Sequence, residues 1–374
     1  MTRTKKLAFY LTSSGYGGLE MNAVNLAVWM KERGWTVLFY TVKDSRVEQQ
    51  VKNAGLKAQW VQKPNKYFDI KNAFLLANIL KKDQVEKIII FDNHDLSTAN
   101  YCKKFFNARL KMLYLQQMQF KVKKTSPAHT FRFSGLNYWI CPLESLKKQV
   151  LQTTKVPESK IAVIPLCLET DRFLKNSISR SIAHKELGLD ENKMIIGVLG
   201  RIGPTKGQMG VLKAFSLLSK THKDLDLLIM GEATINEKIC LDYEKDCRQF
   251  VKENNLENRV HFRPFRPEVE YFYSAIDIFI MPSRKETYGM VTVEAMLSGV
   301  PIIGTNAGGT VDLLENGKLG QLYSFGDANE LKEKIENIVL EKYNFSEISK
   351  EAKRIASEKY DHRIMCDQLE SLLE

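Results

Sequence analysis

Two Rossmann-like, doubly wound α/β domains are predicted for this chain, on three observations. Short apolar strands alternate with amphipathic helical stretches, and that alternation begins afresh after Lys160. The chain has 374 residues, enough for two such domains and too many for one of average size. No short repeat period and no low-complexity tract points to another architecture. Hydrophobic residues make up 44% and charged residues 26%, the balance of a globular protein rather than a disordered one.

The opening reads as a βαβ unit. Leu7–Leu11 is an apolar strand, Thr12–Gly18 a Gly/Ser loop, and Leu19–Arg33 a helix with Met21, Val24, Ala27, Val28 and Met30 at helical spacing. Gly34 stops that helix and Thr36–Tyr40 is the next strand. Lys87–Phe91, Met112–Leu115 and Trp139–Cys141 are further strands, with a helix over Ile70–Lys82 among the stretches between them. Strands separated by helices imply a parallel sheet. The run IAVIPLCLETDRF is a short strand and a crossing segment. The second series has strands at Met194–Gly200, Leu225–Met230, Val260–Phe262, Ile276–Met281 and Pro301–Gly304, and helices at Gly207–Ser219, Glu237–Glu253 and Gly289–Ser298. Ser346–Leu373 reads as one mixed-charge helical segment. The domains expected are 1–165 and 166–350, facing across a cleft, with ligands at the carboxyl ends of the strands.

Composition narrows the function classes. No run reaches the roughly 18–20 apolar residues of a membrane span. The apolar run near the N-terminus leads straight into a glycine-rich turn, which argues against a signal peptide. Six cysteines lie scattered without paired spacing, as free thiols in a reducing cytoplasm would. The net charge of +11 is uneven: residues 1–165 hold 27 lysines and arginines against 11 acids, whereas 166–374 hold 28 against 33. A basic half joined to a slightly acidic one predicts that the first meets something anionic. Candidates are a phospholipid surface, a phosphorylated acceptor or nucleic acid, and no nucleic-acid module is recognisable.

The densest chemical signal is MPSRKETYGMVTVEAMLSGVPIIGTNAGG, residues 281–309. Glu286 precedes a loop that turns into a helix at Gly289, Met290 and Val291, and Glu294 lies inside that helix. Unpaired N–H groups and the positive dipole end at such a terminus suit a diphosphate. Gly289 lets the backbone approach a ligand closely. One carboxylate is then placed for sugar hydroxyls and the other for a ribose diol. The second signal is GRIGPTKG, residues 200–207, where Arg201 and Lys206 follow a strand and precede a helix. Two cations there balance a diphosphate leaving group.

These residues resemble the retaining GT-B glycosyltransferases conventionally called family four. The resemblance rests on Gly200-Arg201, Lys206-Gly207, Pro282-Ser283 with Glu286, and Gly289. Glu294-Ala295-Met296, Gly299-Val300-Pro301 and Gly308-Gly309 complete it, over residues 160–340. It implies the GT-B fold, with Arg201 and Lys206 on the donor diphosphate and Glu286 on donor-sugar hydroxyls. It places the amides of Gly289, Met290 and Val291 on sugar and phosphates, Glu294 on the ribose, and the backbone around Phe265 and Arg266 in the base pocket. Gly17-Gly18, followed by Glu20, resembles the glycine loop of the acceptor domain, which reaches the donor phosphates. Where many members carry a histidine, this chain reads LYLQQMQF, with Gln116 at that position and Gln117 as the other candidate; glutamine hydrogen-bonds but does not titrate. The resemblance further implies that a terminal helix, about 350–374, packs back on the first domain. It also implies front-face transfer in which the leaving phosphate is the base.

Bland readings stand beside these. Gly17-Gly18 lacks the full dinucleotide fingerprint. Asp224 and Asp226 have DxD spacing for a metal but sit at a strand start. His94 and Asp95 follow the strand ending at Phe91 and either meet acceptor or donor or cap a helix. Lys121, Lys123, Lys124 and Arg132, interleaved with Phe120, Phe131 and Phe133, form a membrane-facing patch or an ordinary basic loop. The expectation is a metal-independent hexosyltransferase without cofactor, using a UDP- or GDP-sugar and a glycan or lipid-linked acceptor, cytoplasmic and peripheral on the membrane. A nucleotide-sugar epimerase of the same architecture and a non-catalytic nucleotide-sugar-binding protein remain the alternatives.

Overall fold

The computed structural model describes residues 5–15, 17–65, 67–120, 122–175, 178–235, 237–340 and 345–374. The chain forms two compact units, one from Met1–Cys167 with His362–Glu374 and one from Leu168–Asp361.

In the first unit the strands are β1 (Lys6–Tyr10), β2 (Thr36–Val42), β3 (Lys57–Val61), β4 (Lys87–Ile90), β5 (Lys111–Leu115), β6 (Tyr138–Cys141) and β7 (Ile161–Val163). Among the described residues they form one parallel sheet in the order β3-β2-β1-β4-β5-β6-β7. Their apolar runs are buried from both faces, as parallel sheets require. The helix Gly18–Glu32 covers one face with Ala23, Leu26, Ala27 and Met30, and Gly34 follows it at φ +87°. Helix Arg46–Asn53 and strand β3 escaped the sequence reading. The helix is short and polar, and β3 is a half-exposed edge strand with little apolar signal.

The second unit adds β8 (Met194–Leu199), β9 (Leu225–Met230), β10 (Val260–Arg263), β11 (Ile278–Met281), β12 (Ile302–Thr305) and β13 (Gln321–Tyr323). Their order is β10-β9-β8-β11-β12-β13, again parallel. Its core packs Val211, Leu212, Phe215 and Leu218 of helix Gln208–Leu218 against Ile196, Val198, Leu227 and Ile229.

The terminal segment is two helices rather than one. Phe345–Lys359 belongs to the second unit and His362–Leu373 to the first. Between them Asp361 accepts a hydrogen bond from the buried Thr170 hydroxyl, and Leu168 bridges to Asp361, so the chain is pinned there without proline or glycine. No described helix is long and apolar enough to cross a membrane.

Each sheet has a switch point where the chain turns from building outward on one side to building outward on the other. These lie between β1 and β4 and between β8 and β11. Loops at the carboxyl ends of those strands form the crevice in which such sheets hold ligands.

Candidate functional site

At the second switch point the structure brings together the residues at 200–207 and 282–309. The loop after β8 runs through Arg201 to a 3₁₀ turn, Pro204–Lys206, and Gly207 then caps helix Gln208–Leu218 at φ +77°. A Cβ on Gly207 would lie 2.1 Å from the Pro282 carbonyl oxygen, so the two loops touch through backbone. The closeness has a chemical result: Lys206 Nζ donates to Glu286 Oε2 at 2.7 Å. Both side chains stay partly exposed. Arg201 is exposed and makes no ion pair among the described residues. Its carbonyl is held by Gln208 Nε2 at 2.9 Å.

The loop carrying Glu286 is fixed from behind. Gly309 N–H donates to the Glu286 carbonyl at 2.8 Å, and a Cβ on Gly308 would lie 2.2 Å from that oxygen. Gly289 then starts helix Met290–Ser298 at φ +97°. Among the described hydrogen bonds Met290 and Val291 N–H have no acceptor, because the groups four residues back lie outside the helix. Two donors, an arginine and a lysine therefore sit on the loops flanking one switch point, with Glu286 holding the lysine.

Glu294 lies one turn further along that helix. Its Oε2 is 2.9 Å from the Tyr273 hydroxyl, which is also 2.9 Å from the Val291 carbonyl. Burial pushes the Glu294 carboxyl up to about 7, against the opposing effects of the Tyr273 hydrogen bond and of Arg172, while Glu270 adds to the rise. Arg172 itself pairs with Glu270 at 2.8 Å. Phe265 and Arg266 follow the edge strand β10. Phe265 is 48% exposed, and the Arg266 guanidinium stacks 4.3 Å over Tyr271 and reaches Glu186 at 3.2 Å. Asp226 is nearly buried at the start of β9 and is engaged by Arg259 and His261, which approach its two oxygens at 3.3 and 3.0 Å.

In the first unit Gly17 caps helix Gly18–Glu32, and its N–H donates to Glu20 Oε2 at 2.8 Å. Ser13 Oγ donates to the other Glu20 oxygen at 2.6 Å. The glycine loop is thus braced by Glu20, leaving Gly18 at the helix start.

Two expectations need correction here, and one reading left open falls on its structural side. Gln116 is 0% exposed, and its amide is consumed inside the sheet end, accepting from Trp139 Nε1 at 2.8 Å and donating to the Met118 carbonyl at 2.8 Å. It positions the strand end rather than facing a ligand. The other candidate, Gln117, accepts from Asn22 at 2.8 Å and leaves its buried amide nitrogen without a partner. Asp95 is also fully buried: it accepts the Thr12 N–H at 3.0 Å and the Thr12 hydroxyl, and so ties the loop after β1 to the loop after β4. Burial raises its carboxyl to about 7. His94 beside it is exposed, with its N–H on Asp92. The second correction concerns the basic aromatic stretch. Phe120, Phe133 and Arg132 are buried, Arg132 at 2% exposure, and Lys121 lies outside the described residues. Arg132 instead reaches Asn93 at 3.4 Å, with Tyr67 against its guanidinium face. Sequence gave no sign of this burial, because arginine between phenylalanines reads equally as surface.

Residues 179–360 match the sequence model of the family described as Glycosyl transferases group 1. A capsular polysaccharide biosynthesis glycosyltransferase, CapM of Staphylococcus aureus, is 26% identical over 234 residues, 61% of this chain and 59% of that protein. The chain thus spans less than two thirds of that relative. An uncharacterized glycosyltransferase of Haemophilus influenzae is 23% identical over 99% of this chain and all of its own length. Among solved structures, Anabaena HepE in complex with UDP-glucose superposes with TM-score 0.79 at 22% identity, covering 98% of this chain and 99% of its own. That likeness and others of its kind establish the fold as GT-B.

Proposed function

Since its second unit belongs to the glycosyl transferases group 1 family, we propose that this protein is a retaining, metal-independent hexosyltransferase. It moves a sugar from a UDP- or GDP-sugar to a hydroxyl of a glycan or glycolipid, in the assembly of a cell-surface polysaccharide or lipopolysaccharide. The Lys206–Glu286 pair at the switch point carries this reading. A donor displaces that pair: the ammonium turns to the β-phosphate and the carboxylate accepts hydrogen bonds from sugar hydroxyls. Arg201 and the N–H groups of Met290 and Val291 complete the diphosphate cradle, and Glu294 takes the ribose. UDP is the favoured nucleotide, because HepE was solved with UDP-glucose in this fold.

The step needs no side-chain base. The bond from the anomeric carbon to the diphosphate breaks, and the acceptor oxygen bonds to that carbon on the same face. The acceptor proton passes to the departing diphosphate oxygen. Preorganised cations at that oxygen lower the barrier, since charge builds there in the transition state. The capsular and lipopolysaccharide roles named for CapM and for LpsB of Rhizobium meliloti support a surface-glycan acceptor. The strongly basic first 165 residues support cytoplasmic, peripheral attachment to an anionic membrane face.

Titration of UDP, GDP and ADP without metal tests the donor reading. Tightest binding of UDP, lost in Lys206→Ala, is the expected result; equal indifference to all three would refute it. Proton NMR of the product separates retention from inversion, and sugar conversion without acceptor would reassign the protein as an epimerase.

A further inference from the structure

The first unit gathers positive charge at the amino ends of its strands, opposite the carboxyl ends where such sheets hold ligands. Lys111 opens β5, Tyr138 opens β6, and Lys160 lies immediately before β7. These three strands are neighbours, so their amino ends meet. The π-helical segment Cys102–Phe106 brings Lys103 and Lys104 to the same place. The four lysines, with Ser134 and Ser159, line a cavity of about 560 Å³.

No aspartate or glutamate is among the lining residues. Lys103 Nζ donates to Asn137 Oδ1 at 2.6 Å and Lys160 Nζ to the Leu136 carbonyl at 2.8 Å, which leaves protons on each ammonium. Among the described residues neither Lys104 nor Lys111 is in an ion pair. The acid next in sequence to Ser159, Glu158, is taken by Lys147 at 2.8 Å. Partial burial, Lys160 and Lys104 bring the Lys103 ammonium down to about 8. Like charges converging without a counter-ion repel, and a bound anion relieves the repulsion.

We propose that this cavity is a binding site for a dianionic phosphate group, separate in the fold from the loops at the carboxyl ends of the strands. Ser134 spends its hydroxyl proton on the Phe131 carbonyl at 2.8 Å, so four ammonium groups and the Ser159 hydroxyl remain, and these match a group with two charges and three acceptor oxygens better than a single carboxylate. The phosphate belongs either to a soluble ester or to a lipid headgroup. Phe105 and Phe106, exposed on the segment that supplies Lys103 and Lys104, make the headgroup a source that must be tested. The site stands independently of the transfer reaction.

Lysine acetylation followed by peptide mass spectrometry resolves each lysine separately. At constant ionic strength, inorganic pyrophosphate and vesicles of phosphatidic acid in phosphatidylcholine are the two probes. At least one is expected to protect Lys103, Lys104, Lys111 and Lys160 about fivefold or more, leaving Lys123 and Lys155 unchanged. Protection by pyrophosphate marks a soluble phosphate; protection by vesicles alone marks a headgroup. A Lys103→Gln, Lys160→Gln double variant should lose protection at Lys104 and Lys111 while keeping the wild-type calorimetric transition of the first unit, which shows that this unit is folded. Equal modification with and without both probes, or protection shared with Lys123 and Lys155, overturns the site. Vesicle binding without protection overturns it too, and leaves the reading of a membrane-facing basic domain standing.

Discussion

Lys206 and Glu286 hold one another at 2.7 Å, and in the proposed donor site each is a charge released to a ligand. Lys206→Ala should lower kcat/KM by about 10²-fold or more, the usual cost of one preorganised group at a leaving oxygen. Glu286→Gln keeps a hydrogen-bonding side chain but frees the ammonium; its kcat should fall more than its UDP affinity. Steady-state kinetics beside UDP titration reads both. Glu294 makes a pH argument. With its carboxyl near 7, most of it is protonated at pH 6 and ionised at pH 8. A ribose diol donates best to the anion, so UDP affinity should rise by up to about tenfold over that range in the wild type relative to Glu294→Gln. The sign for stability runs the other way. A carboxyl raised on folding lends stability fully below its unfolded value and loses it as pH rises through about 7. Melting temperatures should therefore show Glu294→Gln gaining on the wild type as pH rises from about 4.5 to about 7, with the gain level above that. A parallel pH dependence of UDP affinity in both proteins would remove Glu294 from the ribose role.

Elements place these residues through backbone contacts between loops. Gly207 at φ +77° lets the β8 loop touch Pro282, and Gly308 lets the loop before helix Gly309–Leu313 press on the Glu286 carbonyl. A methyl group at either position meets a carbonyl oxygen at about van der Waals violation and a backbone angle that L-residues avoid. Gly207→Ala and Gly308→Ala should each cost about 1–3 kcal/mol and weaken UDP binding together with stability. Urea denaturation with UDP titration checks this, and a variant with full UDP affinity would break the link. Much of this layer was legible: Leu225–Met230 and Ile70–Lys82 read correctly because buried apolar runs and helical spacing dominate there. Edge strand β3 was not, since its side chains are half-exposed and its partner is set by tertiary pairing. The candidate residues at 200–207 and 282–309 were readable as types in order, and the structure brings the two stretches together at one switch point. The Lys206–Glu286 bond, the inward amide of Gln116 and the buried guanidinium of Arg132 depend on side-chain direction, which periodicity does not carry.

At the scale of the whole molecule, the chain enters the second unit after Cys167 and returns to the first at His362. The returning helix, His362–Leu373, completes the first unit by burying Met365, Cys366, Leu369 and Leu373. Glu370 accepts from Trp35 Nε1 at 2.7 Å and pairs with Arg33, and His362 lies 5.0 Å ring to ring from Trp29. The helix therefore covers helix Gly18–Glu32, whose amino end carries the Gly17–Gly18 loop. Buried apolar side chains contribute about 1.5–3 kcal/mol each, so four of them exceed what the exposed ion pairs supply. Ending the chain at Asp361 should remove that cover and lower the melting transition of the first unit, with apolar surface newly exposed to a fluorescent dye. The second unit keeps all of its own residues in the truncated chain. Calorimetry with added UDP should therefore find one transition lowered and the UDP-stabilised transition unmoved. A single transition lowered as one, with UDP stabilisation lost, would instead mean that the two units fold as one cooperative body, and that the last helix supports the donor unit as well as the first.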